Sequence, residues 1–241
     1  MIPIRDENPT LHTSLATFGI ILINILAWIF VQKLGTEPSL TKSIFTNGLI
    51  PGELLQTIPA GTSFPIGESY SYVIEARPNY WSIITSMFMH GGWLHIIGNL
   101  WFLFVFGDNV EDAMGSFKFL IFYLLCGVAA AITQMFSNPQ SHIPMVGASG
   151  AIGGVMGAYA VLYPRARIHL LIFLGFYINK IVVPAFFVLL YWFMLQFIGL
   201  IPSLGRGGGV AFFAHIGGFI AGIILVFIFR NKRRMKKRNG I

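Results

Sequence analysis

Long apolar blocks, parted by short polar turns, pattern this chain of 241 residues. A membrane-crossing helix needs about 20 mainly apolar residues. The blocks that come near that length lie at about 15–32, 93–112, 117–136, 149–163, 180–200 and 210–229, and they predict six spans. Between the first two, residues 33–92 mix Pro38, Pro51, Pro59, Pro65 and Pro78 with apolar positions such as Trp81, Ile83 and Ile84. A loop of that length and stickiness is expected to be partly structured and to rest on the interface. Leu170–Ile178 is apolar but too short to cross, so it either lies at the interface or lengthens the next helix. Pro202, Gly205, Gly207, Gly208 and Gly209 predict a flexible loop at 201–209.

Composition turns this pattern into a class. Hydrophobic residues make up 55% of the chain and charged residues 10%, against roughly 25% charged in soluble domains. The expectation is an all-α polytopic membrane protein with one membrane domain at 15–229, a short N-terminal segment at 1–14 and a tail at 230–241. The net charge of +7 does not point to nucleic acid, because seven basic residues crowd Arg230–Arg238, directly after an apolar block. That tail reads as a topology signal in contact with anionic lipid headgroups. With six spans, Arg5, Lys118, Arg165, Arg167, Lys180 and the tail fall on one side, which places both termini in the cytoplasm. Residues Met1–Thr13 carry Asp6 and Glu7 beside Arg5 and do not read as a cleavable signal. The basic tail and the lack of a targeting segment favour a bacterial inner membrane. Cys126, the single cysteine, reads as a small buried hydrophobe.

Polar groups inside membrane spans are costly and are functional candidates by default. The fourth block begins Gly147-Ala148-Ser149-Gly150 and continues with Gly153, Gly154 and Gly157. As a helix it puts Ser149, Gly153 and Gly157 on one stripe, four residues apart. Bare glycine stripes let membrane helices approach closely. In the sixth block His215, Gly218 and Gly222 share a face and include a GxxxG step. Packing stripe on stripe would bring His215 within reach of Ser149, and a serine hydroxyl needs such a base to become a nucleophile. In the second block His95 and Asn99 are four apart, and both carry side-chain donors that could meet a developing oxyanion, with the Ser149 backbone N–H as a third.

The chain has no Asp or Glu after Asp112, and Asp108, Glu111 and Asp112 lie at the far end of the second block from His95. The expectation is therefore a Ser149–His215 dyad without a carboxylate, with the hold on His215 left open between neighbours such as Phe212 and Phe213. Other chemistries fit less well. A HExxH metalloprotease helix is absent, the acids are not paired within separate spans for aspartyl catalysis, and no basic residue sits mid-span for transport. A binding protein without catalysis would not need both Ser149 and His215.

Taken together, Gly147-Ala148-Ser149-Gly150, His95-Ile96-Ile97-Gly98-Asn99 and Ala214-His215-Ile216-Gly217-Gly218 with Gly222 resemble the rhomboid family of intramembrane serine proteases, over roughly 15–229. The resemblance implies a six-transmembrane-helix bundle, Ser149 as nucleophile, His215 as general base, and His95 and Asn99 in the oxyanion hole. It implies cleavage of transmembrane protein substrates near their outer end, in a wet cavity, with no cofactor and no metal. His90, within Trp81–His90, matches a histidine near that cavity, and Glu111 matches a structural position. The fifth span and the 201–209 loop correspond to the mobile elements. Two positions depart from the family pattern: Ser82 stands where members often carry Arg, and Gly153 where many carry an aromatic against the histidine. His12, His142 and His169 read as solvated polar residues.

Overall fold

A computed structural model of the chain describes residues 1–66, 70–174, 177–203 and 211–238. Residues 204–210, which hold most of the expected glycine loop, lie outside the described residues, as does the tip of the tail from 239 onward. In chain order the elements are β1 (Ile2–Asp6), α1 (Leu15–Leu26, continued by a wide turn over Ala27–Val31), α2 (Ser39–Asn47) and α3 (Pro51–Leu54). Then come β2 (Ser63–Ile66), β3 (Tyr70–Val73), α4 (Ser82–Thr85, tightening over Ser86–Phe88), α5 (Trp93–Met114) and α6 (Ser116–Ser137). The chain continues with α7 (Ser149–Leu162), β4 (Arg167–Leu174), β5 (Tyr177–Pro184), α8 (Ala185–Ser203), α9 (Phe212–Phe229) and α10 (Lys232–Arg238).

The seam between α7 and α9 centres the bundle. A methyl group added to Gly218 or Gly222 would fall on the carbonyl oxygen of Gly150 or Gly154, so the two backbones touch with nothing between them. The seam is wider than the expected Ser149–Gly153–Gly157 stripe, since Gly150 and Gly154 share in it. Helix α6 closes the third side with small groups: Ala130 packs on Gly150, Cys126 on Gly154 and Thr133 on Gly217. With no hydrophobic effect to draw helices together in lipid, such close packing supplies the attraction.

Each of the six apolar blocks contains a helix, but the helix lengths differ from six equal spans. Among the described residues, α6 and α9 are long and apolar enough to cross a bilayer alone, and α5 passes only together with Ser82–Phe88, bent from it by 92°. Leu15–Val31, Ser149–Leu162 and Ala185–Gly199 are shorter apolar helices.

The all-α expectation is corrected by two sheets. Strands β1, β4 and β5 form an antiparallel sheet in the order β1-β4-β5, and β2 pairs with β3. Ile168 and Leu170 point into the core, while the outer face of the β4–β5 hairpin mixes Arg167, His169 and Lys180 with exposed Phe173, Ile178 and Val182, so the alternation is blurred. Its β-branched residues favour extended backbone. Pro184 also forces extended geometry on Val183, so the fifth helix starts at Ala185 rather than near residue 180.

One end of the bundle is tied by buried carboxylates. Glu111 accepts from the Ala16 N–H (2.9 Å), the Thr17 N–H (2.7 Å), the Thr17 hydroxyl (2.7 Å) and Ser116 Oγ (2.6 Å). An anion there satisfies the orphan donors and the dipole at the start of α1. Asp6 of β1 takes the Tyr159 hydroxyl of α7 and, at 2.8 Å, Asn109 Nδ2 of α5. His12 and His169 are not simply solvated, because each ring sits 2.7 Å from a carboxylate, Asp112 and Glu7 respectively. The Asn231 N–H donates to the Ala113 carbonyl at 2.8 Å, so both ends of the chain gather at this face.

The 33–92 segment covers the opposite face. Leu49 and Met145 exchange backbone hydrogen bonds, and the Gly52 N–H donates to the Ser141 carbonyl at 2.8 Å. Glu53, 6% exposed, accepts from the Tyr72 hydroxyl at 2.8 Å. Burial raises the Glu53 carboxyl above the usual carboxylate range; nearby Glu75 adds to this and the Tyr72 bond opposes it. A raised carboxyl favours the folded state below its unfolded value, and that contribution is lost as pH rises through the folded value. Glu53→Gln, which removes the charge and keeps an acceptor for Tyr72, is thus expected to raise the thermal midpoint at pH 8 and to leave it unchanged at pH 4. Melts at the two pH values check this, and an equal shift at both would refute it.

Candidate active site

Ser149 is the first residue of α7, where helix N–H groups have no intrahelical acceptor. The turn before it is held by the Gly147 N–H, which donates to the Ser86 carbonyl at 2.9 Å. Gly147 has φ +123°, a conformation that favours glycine, and a Cβ there would lie 2.7 Å from His95 Nε2. His215 sits in the first turn of α9. The glycine seam sets the spacing, and Ser149 Oγ lies 2.8 Å from His215 Nε2. The Ala214 N–H, one residue earlier, is satisfied by Gln134 Oε1 of α6 at 3.2 Å.

The far edge of the imidazole has a partner that sequence reasoning missed. His215 Nδ1 lies 2.8 Å from Gln196 Oε1 on α8. Gln196 Nε2 donates to the Trp192 carbonyl at 2.8 Å, one turn back on the same helix. The Trp192 ring lies 5.8 Å from the His215 ring, and its edge is 3.7 Å from where a Cβ of Gly153 would be. So the aromatic that the family pattern places at 153 is supplied here from α8. Phe212 meets the imidazole edge-on at 6.4 Å. The available signal for Gln196 was a lone amide in an otherwise apolar span.

His95 and Asn99 of α5 face the same space. His95 Nδ1 accepts from the Gly91 N–H at 3.2 Å, which leaves Nε2, beside Gly147, as the protonated edge. Asn99 is 7% exposed and its Nδ2 has no partner among the described residues. Both line a cavity of ≈ 570 Å³ with Ser149, His215, Phe102, Met156 and Trp192. His90 does not line it. It is fully buried behind His95, with the two rings edge to face at 5.1 Å. Its backbone is clasped by the Gln32 side chain at 2.7 and 2.8 Å. Gly153, Gly157, Gly218 and Gly222 all fall in the α7–α9 seam. Among the described residues no three His, Cys, Asp or Glu side chains are grouped to hold a metal ion.

These features define a class: a helical membrane protein with a serine–histidine pair at the head of two close-packed helices. The Rhomboid domain model matches residues 77–232, nearly two thirds of the chain. The chain belongs to the rhomboid family and is an integral membrane protein. It is similar to rhomboid protease GlpG of Haemophilus influenzae, 35% identical over 154 residues, 64% of this chain and 72% of that protein. Rhomboid-like protease 3 of Toxoplasma gondii is 31% identical over 150 residues, 61% of this chain and 50% of its own length. Rhomboid-like protein 11, chloroplastic, of Arabidopsis thaliana is 30% identical over 165 residues, 65% of this chain and 55% of its own length. The chain thus spans about half the length of several of the relatives it matches.

Proposed function

We propose that this chain is an intramembrane serine endopeptidase that cleaves transmembrane segments of other membrane proteins near their outer end. The observation that carries the reading is the 2.8 Å approach of Ser149 Oγ to His215 Nε2 beside a cavity. Names of relatives as rhomboid proteases support it.

In this reading His215 Nε2 takes the hydroxyl proton as Ser149 Oγ attacks the scissile carbonyl carbon. The carbonyl oxygen becomes an oxyanion met by Asn99 Nδ2, His95 Nε2–H and the Ser149 N–H. As the C–N bond breaks, the imidazolium returns its proton to the leaving amine and an ester to Ser149 remains. His215 then deprotonates a water that attacks the ester, and it returns that proton to Ser149 Oγ as the acyl C–O bond breaks and the new carboxyl end is released. The substrate helix must unwind locally, since its own hydrogen bonds shield the carbonyl, and helix-weak residues at the cut ease that.

Depth follows from length. The 14 residues of α7 rise about 21 Å, against a hydrocarbon core of about 30 Å. With its C-terminal end at one face, the serine lies below the other, where irregular backbone is tolerated only inside protein or at a wet cavity. We read the six apolar helices as six spans. The gathered termini and the basic helix α10 then belong at the cytoplasmic face of a bacterial inner membrane, on anionic headgroups. Transmembrane proteins are the expected partners, not nucleic acid.

The test is cleavage of a single-span reporter by purified protein in proteoliposomes, with the cut mapped by mass spectrometry. A cut in the outer third of the span is expected, and a cut in its inner half would refute the reading. Asn99→Ala is expected to lower kcat by about 10²–10³-fold, because one oxyanion donor is lost, with KM little changed. A change confined to KM would remove Asn99 from the oxyanion hole.

A further inference from the structure

We propose that Gln196 is the positioning residue of the histidine base, filling with a neutral amide the place that a carboxylate takes in a three-residue serine site. The inference deepens the reading above and rests on it for its catalytic consequence. Its structural content stands alone.

A neutral imidazole carries one N–H, and which nitrogen bears it is set by the partner of the other edge. For His215 Nε2 to accept the Ser149 proton, the N–H must sit on Nδ1, and a buried N–H needs an acceptor. Gln196 Oε1, 2.8 Å away, is that acceptor. An amide could offer either end to the ring. Here its NH₂ end is committed to the Trp192 carbonyl at 2.8 Å, so turning the amide over would sacrifice that bond and set two donors against each other. The aim of the amide is thereby fixed by its own helix. Gln196 is 7% exposed, so water does not replace the bond if it is lost.

Charge explains why an amide is used. A carboxylate at this depth would be an anion inside a membrane bundle, which is costly. The chain carries no Asp or Glu beyond Asp112, so neither α8 nor α9 supplies one. A glutamine keeps the geometry and the tautomer without burying a charge. Placement matters as well. Trp192, Phe193 and Gln196 lie on one face of α8, with Phe193 stacked on Phe219 of α9 at 4.5 Å. The base is therefore aligned from a third helix, distinct from the two that carry the reacting pair.

The test compares Gln196→Met, of equal length with only a weak thioether acceptor, and Gln196→Glu, which keeps an oxygen acceptor, in the full chain in micelles. ¹⁵N-histidine NMR, with His215 assigned by its loss in His215→Ala, reads the tautomer directly. The wild type and Gln196→Glu are expected to hold the proton on Nδ1, and Gln196→Met to lose that preference. In reporter cleavage Gln196→Met is expected to lose about 10–100-fold in kcat with KM unchanged, while the loss of a buried hydrogen bond lowers the thermal midpoint by only a few degrees. Gln196→Glu should stay within about 5-fold of wild type at a pH where its carboxyl is the neutral acid, which keeps an acceptor for Nδ1 and an O–H for the Trp192 carbonyl. A wild-type ring protonated on Nε2, or a tautomer unmoved in Gln196→Met, would overturn the proposal. So would wild-type kcat in Gln196→Met. If the tautomer responds as expected but no variant or wild type cleaves, the positioning role stands and the protease reading fails.

Discussion

Gly222→Ala and Gly218→Ala are expected to unseat α7 from α9 and to abolish turnover. The added methyl falls on the carbonyl oxygen of Gly154 or Gly150, and a main-chain oxygen cannot rotate away. Overpacking of a tight interior costs typically 1–3 kcal/mol even where side chains can yield, so the upper end applies here. In a chain of this size that is a drop on the order of 5–10 °C in the thermal midpoint. Turnover falls further than stability does, because the same seam sets the 2.8 Å between Ser149 and His215. The control is Gly19→Ala in α1, where a Cβ meets nothing within 4 Å and the melt should match wild type or rise slightly. A Gly222→Ala protein that melts and cleaves like wild type would show that the two backbones do not touch.

Ser149→Ala and His215→Ala should each reduce reporter cleavage by at least about 10⁴-fold, since nucleophile and base act as one unit and either loss disables both. Among the described residues the serine side chain bonds only to His215, so Ser149→Ala should melt close to the wild-type temperature. The pair of readouts separates lost chemistry from lost fold. Residual cleavage near wild type in either variant would assign the reaction to another group.

Much of the bundle was legible because helical periodicity and glycine spacing are local signals. Ser149, Gly153 and Gly157 recur every four residues, as do His95 and Asn99, and each set does share a face in the structure. Two features were not legible for a physical reason. The outer face of the β4–β5 hairpin mixes Phe173, Ile178 and Val182 with Arg167, His169 and Lys180, so the alternation that marks a half-buried strand is blurred, and its pairing with β1 joins residues more than 150 positions apart. Gln196 fails differently. A lone amide marks its otherwise apolar span, but its meaning depends on the rotation of α8 that turns it toward α9. Asp112, at the far end of α5, was also underread: it is committed to the N-terminal segment, in contacts that span about 100 positions in the chain. Gly153 looked like a missing support for the imidazole until α8 placed Trp192 in the same space.

The most direct measurement is labelling of the purified protein with a fluorophosphonate, with the modified residue mapped by mass spectrometry. A single adduct on Ser149 is expected, lost in Ser149→Ala and slowed at least about 100-fold in His215→Ala, whose hydroxyl has no base to activate it. An adduct that persists in Ser149→Ala, or forms as fast in His215→Ala as in wild type, would contradict the claim that these two side chains form one reactive site.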